Sequence, residues 1–318
     1  MKEIYLCETK ENIKRIYQVD APVFNREALL AEPGKFRDVE VIFSTWGMPC
    51  LTEAQIRENL PELKAVFYAA GTVQAFARPF LAQGVRVFSA WAANAVPVAE
   101  YTVAQILLAN KGFFRTMGYT DKKAAFALAE TYPGNFHSRV GIIGAGMIGK
   151  LVIKLLKNFN LEVVVFDPFL PEETARELGV EKVSLEEIFT SCRVVSNHLA
   201  NNDQTKGMLH GGLFSKMLPY ATFLNTGRGA QVVEQELIEC LQARPDLTAI
   251  LDVTSPEPPV AGSPLYTLPN CILTPHIAGS TGNEVRRMGQ YMKEEFARFA
   301  AGQPCRYEVT EAMLQTMA

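Results

Sequence analysis

The sequence at residues 140–150 is Val140-Gly141-Ile142-Ile143-Gly144-Ala145-Gly146-Met147-Ile148-Gly149-Lys150. It contains an apolar run, which predicts a buried strand, followed by three glycines with the spacing G-x-G-x-x-G. Gly144 permits a tight turn, Gly146 lets a pyrophosphate approach backbone N–H groups, and Gly149 lets a following helix pack against the strand. The stretch therefore predicts the strand–turn–helix unit that opens a doubly wound dinucleotide-binding domain.

A carboxylate follows the next predicted strand, which is the apolar run Val163–Phe166. This residue, Asp167, stands close to the expected interval after the last glycine of the turn. A carboxylate in this place accepts hydrogen bonds from the ribose hydroxyls of adenosine and repels a 2′-phosphate. Pro168 and Phe169 come next, so no adjacent arginine is available for such a phosphate. We therefore predict that the cofactor is NAD rather than NADP.

Composition and charge exclude several other classes of protein. The length of 318 residues predicts two domains. Nucleic-acid-binding proteins carry a clustered basic face, and membrane-surface proteins carry a polybasic patch. The net charge here is −3, so we expect neither nucleic acid nor a membrane as a partner. The six cysteines are far apart and lack metal-ligand spacing, which predicts no metal site and a reducing compartment. Met1–Cys7 is typical of a strand rather than a signal peptide, so we expect a cytoplasmic protein.

Short apolar runs alternate with helix-like segments along the chain, which is typical of an α/β fold with mostly parallel strands. The strands predicted in the first third are Ile4–Cys7, Val39–Ser44, Leu63–Ala69 and Arg86–Phe88. A second series comprises Arg139–Ile143, Glu162–Phe166, Arg193–Asn197, Ala221–Asn225, Thr248–Leu251 and Cys271–Leu273. We also predict long helices over residues 98–117 and 283–301.

Three polar motifs follow predicted strands of the second series. They are Asn225-Thr226-Gly227-Arg228-Gly229, Leu251-Asp252-Val253-Thr254-Ser255-Pro256-Glu257-Pro258 and Thr274-Pro275-His276-Ile277-Ala278-Gly279-Ser280-Thr281. Ligands bind beyond the carboxyl ends of the strands in open α/β sheets. The motifs supply a cation (Arg228), a carboxylate (Glu257) and an imidazole (His276), which together could hold a 2-keto acid and give it a proton. Each also has an ordinary structural interpretation, as a surface arginine, an exposed loop acid and a packed histidine.

The ordered set of motifs resembles the D-isomer-specific 2-hydroxyacid dehydrogenase family over nearly the whole chain. The resemblance implies an oxidoreductase that transfers a hydride between NAD(H) and a small 2-hydroxy or 2-keto acid, as glyoxylate/hydroxypyruvate reductases do. It implies that Arg228 binds the substrate carboxylate and that Glu257 pairs with the catalytic His276. The backbone at Ala70 and Gly71 is the remaining implied substrate contact. The cofactor contacts that we expect are Gly144, Gly146, Met147, Ile148, Gly149, Asp167, His198, Thr226, Gly227, Arg228, Asp252, His276 and Gly279.

The resemblance also implies the domain organisation. It predicts two Rossmann-like or flavodoxin-like α/β domains with an active-site cleft between them. The substrate-binding (catalytic) domain is expected to be discontinuous, over residues 1–101 and 283–318, and the NAD-binding Rossmann domain to cover residues 102–282. A homodimer is expected as well, because one segment is rich in aromatic side chains that would be costly to expose. These aromatics are Phe113, Phe114, Phe126 and Tyr132.

Several departures from the family pattern leave the substrate open. Ala69 stands where the substrate loop has a glycine, and Val73-Gln74 replaces a common Asp-Asn pair. His198-Leu199-Ala200 lacks the usual proline. An NAD(H)-sensing corepressor of the same fold is the alternative function, although such proteins are expected to carry longer extensions. Formate dehydrogenases are related but pair the histidine with a glutamine, so Glu257 argues against that activity.

Overall fold

The computed structural model describes residues 1–32 and 34–315. It divides into two compact units, which we call unit 1 (residues 1–94 and the chain from Ser280 onward) and unit 2 (Ala95–Gly279). The predicted boundaries, after residues 101 and 282, lie a few residues beyond these divisions. Which unit binds substrate stays a prediction.

Most strands of the described residues are separated by helices. The strands are β1 (Glu3–Leu6), β2 (Val23–Phe24), β3 (Val41–Ser44), β4 (Ala65–Tyr68), β5 (Arg86–Ser89), β6 (Arg139–Ile143), β7 (Glu162–Phe166), β8 (Glu181–Lys182), β9 (Val194–Asn197), β10 (Thr222–Asn225), β11 (Thr248–Leu251), β12 (Cys271–Leu273) and β13 (Glu308–Val309). The helices are α1 (Lys10–Tyr17), α2 (Arg26–Ala31), α3 (Glu53–Asn59), α4 (Ala77–Ala82), α5 (Trp91–Asn110), α6 (Phe113–Thr116), α7 (Lys122–Ala129), α8 (Met147–Leu156), α9 (Glu172–Leu178), α10 (Leu185–Ser191), α11 (Gly211–Phe214), α12 (Glu234–Ala243) and α13 (Val285–Ala300). Among the described residues, no helix is long and apolar enough to cross a bilayer.

Unit 2 contains one parallel sheet with the order β12-β11-β10-β9-β6-β7-β8. Leaving aside the edge strand β12, this is the doubly wound order 3-2-1-4-5-6. All the strands predicted here are present, but β8 was not predicted. This strand lies at the edge and, among the described strands, pairs with β7 alone, so Glu181–Lys182 needs no buried apolar run.

Unit 1 contains a second sheet, with the order β13-β5-β4-β3-β1-β2. Its parallel strands follow the flavodoxin-like order 2-1-3-4-5. The edge strand β13 pairs antiparallel to β5 and follows the predicted C-terminal helix, in a segment where no strand was predicted. The buried side chain of Glu295 on α13 accepts the backbone N–H of Arg306 and, at 2.9 Å, that of Tyr307, which holds the chain entering β13. The predicted α/β fold class is confirmed for both units.

The long helix begins and ends earlier than predicted. Helix α5 starts at Trp91 and stops at Asn110, instead of covering residues 98–117. Gly112 follows with φ +66°, a left-handed conformation that interrupts a helix. A Cβ on this glycine would collide with the ring of Tyr132, so the position also requires a small residue. The predicted C-terminal helix is confirmed as α13.

Candidate active site

The glycine turn between β6 and α8 has the geometry that phosphate binding requires. Gly144 has φ +90°, and a Cβ there would meet the backbone of His198. A Cβ on Gly149 would collide with the carbonyl of Gly144, whereas a Cβ on Gly146 would meet nothing within 4 Å. Gly146 is the N-cap of α8, and no side chain caps the helix there. Backbone N–H groups of a ten-residue helix are therefore available to a pyrophosphate.

Asp167 closes this turn as well as standing at the end of β7. Its Oδ2 accepts the N–H of Ala145 at 2.7 Å, and its Oδ1 accepts the N–H of Phe169 at 2.8 Å. A carboxylate offers about four acceptor positions, so Asp167 can still accept ribose hydroxyls. Asp167 therefore also fixes the glycine turn, a role that the sequence did not indicate.

His276 and Glu257 form a close pair. His276 Nδ1 lies 2.6 Å from Glu257 Oε1, and the side chains are 47% and 42% exposed. The backbone of His276 has φ 54°, in the left-handed region, and its N–H is shared between the carbonyls of Asp252 and Thr274. A non-glycine residue keeps this conformation only where its surroundings enforce it, and such positions cluster at functional sites.

The buried carboxylate of Asp252 enforces the conformation of the turn at residues 274–278. Its Oδ1 accepts the N–H of Ile277 at 2.9 Å and the hydroxyl of Thr274 at 2.6 Å. Its Oδ2 accepts the N–H of Ala278 at 2.9 Å. The hydroxyl of Tyr101 lies 3.0 Å from Thr274 Oγ1 and extends the network to α5. The contact that we predicted between Asp252 and the cofactor stays a prediction, and its tethering of the His276 turn was not foreseen.

Arg228 lies half-buried after β10, close to the same pair. Its Nη1 donates to the carbonyl of Gly227 at 2.8 Å. Burial lowers the pKa of the Arg228 guanidinium from its usual value, while the negative charge of Glu257 acts in the opposite direction. An arginine remains charged under all ordinary conditions. The structure therefore brings a cation, a carboxylate and an imidazole together in unit 2.

His198 is buried, and its imidazole is neutral near pH 7. Its Nε2 lies 2.9 Å from Ser196 Oγ, and its Nδ1 lies 3.4 Å from Thr226 Oγ1. Burial lowers the pKa of His198 from 6.5 to about 3. If His198 contacts the cofactor as predicted, it therefore does so without a positive charge near neutral pH.

Three buried amide side chains, those of Asn197, Asn225 and Gln231, hold the loop that carries Arg228, and none of them was predicted to do so. Asn197 Nδ2 donates to Asn225 Oδ1 at 2.9 Å and to Gln231 Oε1 at 2.6 Å. A Cβ on Gly227 would come within 3 Å of both Gln231 Oε1 and Asn197 Nδ2, so this glycine is required by close packing. Polar residues at the end of a strand followed by a glycine-containing loop were the available signal.

The predicted substrate loop lies in unit 1. The N–H of Ala70 donates to the carbonyl of Tyr68 at 2.9 Å, which competes with its predicted use as a carboxylate donor. The hydroxyl of Ser89 donates to the carbonyls of Ala70 at 2.9 Å and Gly71 at 2.5 Å. The roles of Ala70 and Gly71 in substrate binding stay predictions.

These features define an α/β protein with a dinucleotide-binding unit and a carboxylate–imidazole pair beyond its strand ends. A sequence model described as "D-isomer specific 2-hydroxyacid dehydrogenase, NAD binding domain" matches residues 103–278. The chain belongs to the D-isomer specific 2-hydroxyacid dehydrogenase family, and this segment is its NAD-binding domain.

Individual relatives agree with this family. A D-3-phosphoglycerate dehydrogenase of Archaeoglobus fulgidus is 28% identical over 291 residues, covering 90% of this chain and 53% of the relative. One of Bacillus subtilis is 31% identical over 225 residues, covering 70% and 42%. The chain spans about half the length of the curated relatives it matches. An NAD-complexed D-isomer specific 2-hydroxyacid dehydrogenase of Lactobacillus delbrueckii ssp. bulgaricus has the same fold, with a TM-score of 0.79 at 20% identity, covering 98% of this chain and 100% of that one.

Proposed function

We propose that the protein is an NAD-dependent oxidoreductase that interconverts a small 2-keto acid and the corresponding 2-hydroxy acid. The observation that carries the proposal is the 2.6 Å contact between His276 Nδ1 and Glu257 Oε1, in the unit that contains the NAD-binding domain and beside the Arg228 guanidinium. This combination of a cation and an acid–base pair suits an anionic substrate that gains or loses a proton.

His276 serves as the proton donor for reduction. Because Nδ1 faces Glu257, Nε2 is the ring nitrogen left to exchange a proton with the substrate oxygen. The carboxylate of Glu257 orients the ring through its contact with Nδ1. In the oxidative direction the neutral ring receives the proton instead. Asp252 keeps the His276 turn in place through its bonds to the backbone.

Arg228 binds the carboxylate of the substrate. A guanidinium presents a planar fork that pairs with both oxygens of a carboxylate. Partial burial strengthens this pairing, because an electrostatic attraction is less screened away from water. NAD supplies or accepts the hydride when bound, held by the 144–149 turn and Asp167, and the open space at Gly146 fits its phosphates.

A panel of small acids tests the activity and narrows the substrate. Glyoxylate, hydroxypyruvate, pyruvate, 2-ketoisocaproate and phenylpyruvate are assayed by NADH oxidation. D-3-phosphoglycerate is assayed with NAD⁺, because curated relatives carry its name. We expect turnover with a small 2-keto acid such as glyoxylate or hydroxypyruvate. Tight NADH binding without turnover of any acid would reject the enzymatic function and favour an NAD(H)-sensing protein.

We also propose a homodimer formed through exposed apolar side chains in the segment of residues 113–136. These side chains, with their exposed fractions, are Phe113 (43%), Met117 (60%), Tyr119 (60%), Phe126 (64%) and Phe136 (69%). Two of the aromatics expected here are not exposed, since Tyr132 is buried against Gly112 and Phe114 packs on the core of unit 2. Side chains of this size are costly to leave in water.

Light scattering at micromolar concentration measures the state of association. We expect twice the chain mass of 35.2 kDa. Phe126→Lys should shift the equilibrium toward the monomer, and a wild-type protein that is itself monomeric would reject the dimer. The cytoplasmic location stays a prediction.

A further inference from the structure

Gln231 is the centre of a hydrogen-bond network that is closed to solvent. The exposed fractions of Asn197 and Gln231 are 0%, and that of Asn225 is 1%. Gln231 Nε2 donates to the carbonyls of Leu199 at 2.7 Å and Ala200 at 3.0 Å. Its Oε1 accepts Asn197 Nδ2 at 2.6 Å. A buried amide is costly to desolvate, so a site that satisfies it on every side fixes its orientation.

Both backbone polar groups of Arg228 are bonded to this network. The N–H of Arg228 donates to Gln231 Oε1 at 3.2 Å. Its carbonyl accepts Asn225 Nδ2 at 3.2 Å. The Arg228 side chain then returns to the loop through Nη1 and the carbonyl of Gly227. The direction in which the guanidinium leaves the loop therefore depends on amide groups that are themselves buried.

We infer that Gln231 is a positioning residue for Arg228. It lies outside the family motif from which the site was deduced, and it acts through the backbone of Arg228, with its own Oε1 oriented by Asn197. Loss of the amide leaves the charge of the site unchanged but releases the anchor of the cation. The inference rests on the proposed function, in which Arg228 binds the substrate carboxylate.

The first test replaces the amide with an apolar side chain of similar length, Gln231→Met. We expect kcat/KM for a keto acid to fall by between about tenfold and about 10²-fold, because small misplacements of a binding group cost rates of this size. KM should account for more of the loss than kcat, and the NADH dissociation constant should change less than KM. Gln235→Met is the matched control, since Gln235 is exposed on α12 and bonds only to Glu239 in the contacts that the structure describes.

The decisive test is a double-mutant cycle with Arg228→Lys. If Gln231 acts by directing the planar fork of Arg228, Gln231→Met should cost about threefold or less once the guanidinium is gone, because a flexible point charge depends less on the direction in which it leaves the loop. A merely structural role would lower kcat/KM by the same factor in both backgrounds. Equal losses in the two backgrounds, or no loss in the single variant, would overturn the inference.

A second variant guards against failure of Gln231→Met to fold. Asn197→Ala removes the donor that orients Gln231 Oε1 without touching Arg228 itself. We expect Asn197→Ala, like Gln231→Met, to lower kcat/KM less in the Arg228→Lys background than in the wild-type background. Thermal unfolding and NADH binding are measured to establish that each variant is folded. Additive losses here would equally overturn the inference. Failure of the wild-type protein to turn over any acid would instead reject the proposed function.

Discussion

Both sheets are doubly wound, but they differ in strand order and at the turn after their first parallel strand. In unit 2, β6 is followed by a turn in which Gly144 and Gly149 allow backbone to pack against backbone, while Gly146 leaves space for a ligand. In unit 1, β1 is followed by buried Cys7, and the N–H of Glu8 donates to the carbonyl of Gly47 at 2.8 Å. A doubly wound sheet therefore does not by itself make a phosphate site, because free N–H groups and a glycine turn are also required.

Polar side chains at the strand ends differ in the same way. In unit 1 the hydroxyls of Ser44 and Thr45 donate to the carbonyls of Leu6, at 2.5 Å, and Ala69, at 2.9 Å. In unit 2 the side chains of residues 197, 225 and 231 bond to one another as well as to backbone groups, and they hold loops that carry ionisable groups. Changes in unit 2 should therefore alter chemistry, and changes at these hydroxyls of unit 1 should alter mainly the position of a loop.

The largest effect is expected from His276→Asn. Asparagine tolerates the left-handed backbone at this position but cannot exchange a proton, so turnover should fall by about 10² to 10⁴ while NADH affinity is kept. Steady-state kinetics on one good keto acid and NADH titration measure both. Full activity of this variant would mean that the proton comes from elsewhere.

Glu257→Gln tests the pair through its other member. The change keeps the size of the side chain but removes the carboxylate that lies 2.6 Å from His276 Nδ1 and orients the ring. The kcat for reduction should therefore fall, by less than in His276→Asn, while NADH affinity is kept. Unchanged steady-state kinetics would contradict the coupling of the two residues.

Arg228→Lys should have the next largest effect. Lysine keeps the positive charge but loses the planar fork, so KM for keto acids should rise by about tenfold or more, with a smaller fall in kcat. Kinetics with NADH held at saturation measure the change. Near-normal kinetics would place Arg228 outside the substrate site.

His198 should give a pH dependence of stability. The pKa of His198 is 6.5 in an exposed state and about 3 in the fold. Between these pH values the His198 imidazole is therefore protonated in the unfolded chain and neutral in the folded one. The free energy of unfolding should therefore fall as pH falls from about 6.5 toward about 3, by about 2 kcal/mol at pH 5. Denaturant unfolding of wild type and His198→Asn at pH 7 and pH 5 measures it. The variant should lose less stability on acidification, whereas His210→Asn, at an exposed position, should behave as wild type.

Asp167→Ala should change cofactor preference by about tenfold. Loss of the bond to Ala145 loosens the turn for both cofactors, whereas loss of the negative charge relieves repulsion only of the 2′-phosphate. The ratio of the NADPH and NADH dissociation constants isolates the charge effect, because damage to the turn largely cancels. A wild-type preference for NADPH, or an unchanged ratio, would contradict the assignment.

The smallest effect is expected in unit 1, from Ser89→Ala. The change removes the hydroxyl that donates to the carbonyls of Ala70 and Gly71, so the loop should become less well held. We expect KM for keto acids to rise about threefold with NADH binding unchanged. A loss as large as that of Arg228→Lys would show that the comparison between the two units is too simple.

The sequence alone determined the features that depend on local chemistry. These features are the glycine spacing at residues 144–149, the carboxylate at Asp167 and the apolar runs of the central strands. Each meets a direct physical requirement that few other residue types can meet. The motifs at Arg228, Glu257 and His276 could be recognised because they follow strands whose carboxyl ends share one edge of a sheet.

Only the tertiary structure decided the features that depend on partners distant in the chain. The edge strands β8 and β13 have no apolar signal, because each is fixed by pairing with one neighbour. Asp252 could not be identified as the tether of the His276 turn, nor Gln231 as the anchor of Arg228, because an isolated polar side chain does not specify which backbone groups it will satisfy. Burial decides this, since only a group withdrawn from water must find its hydrogen bonds within the protein.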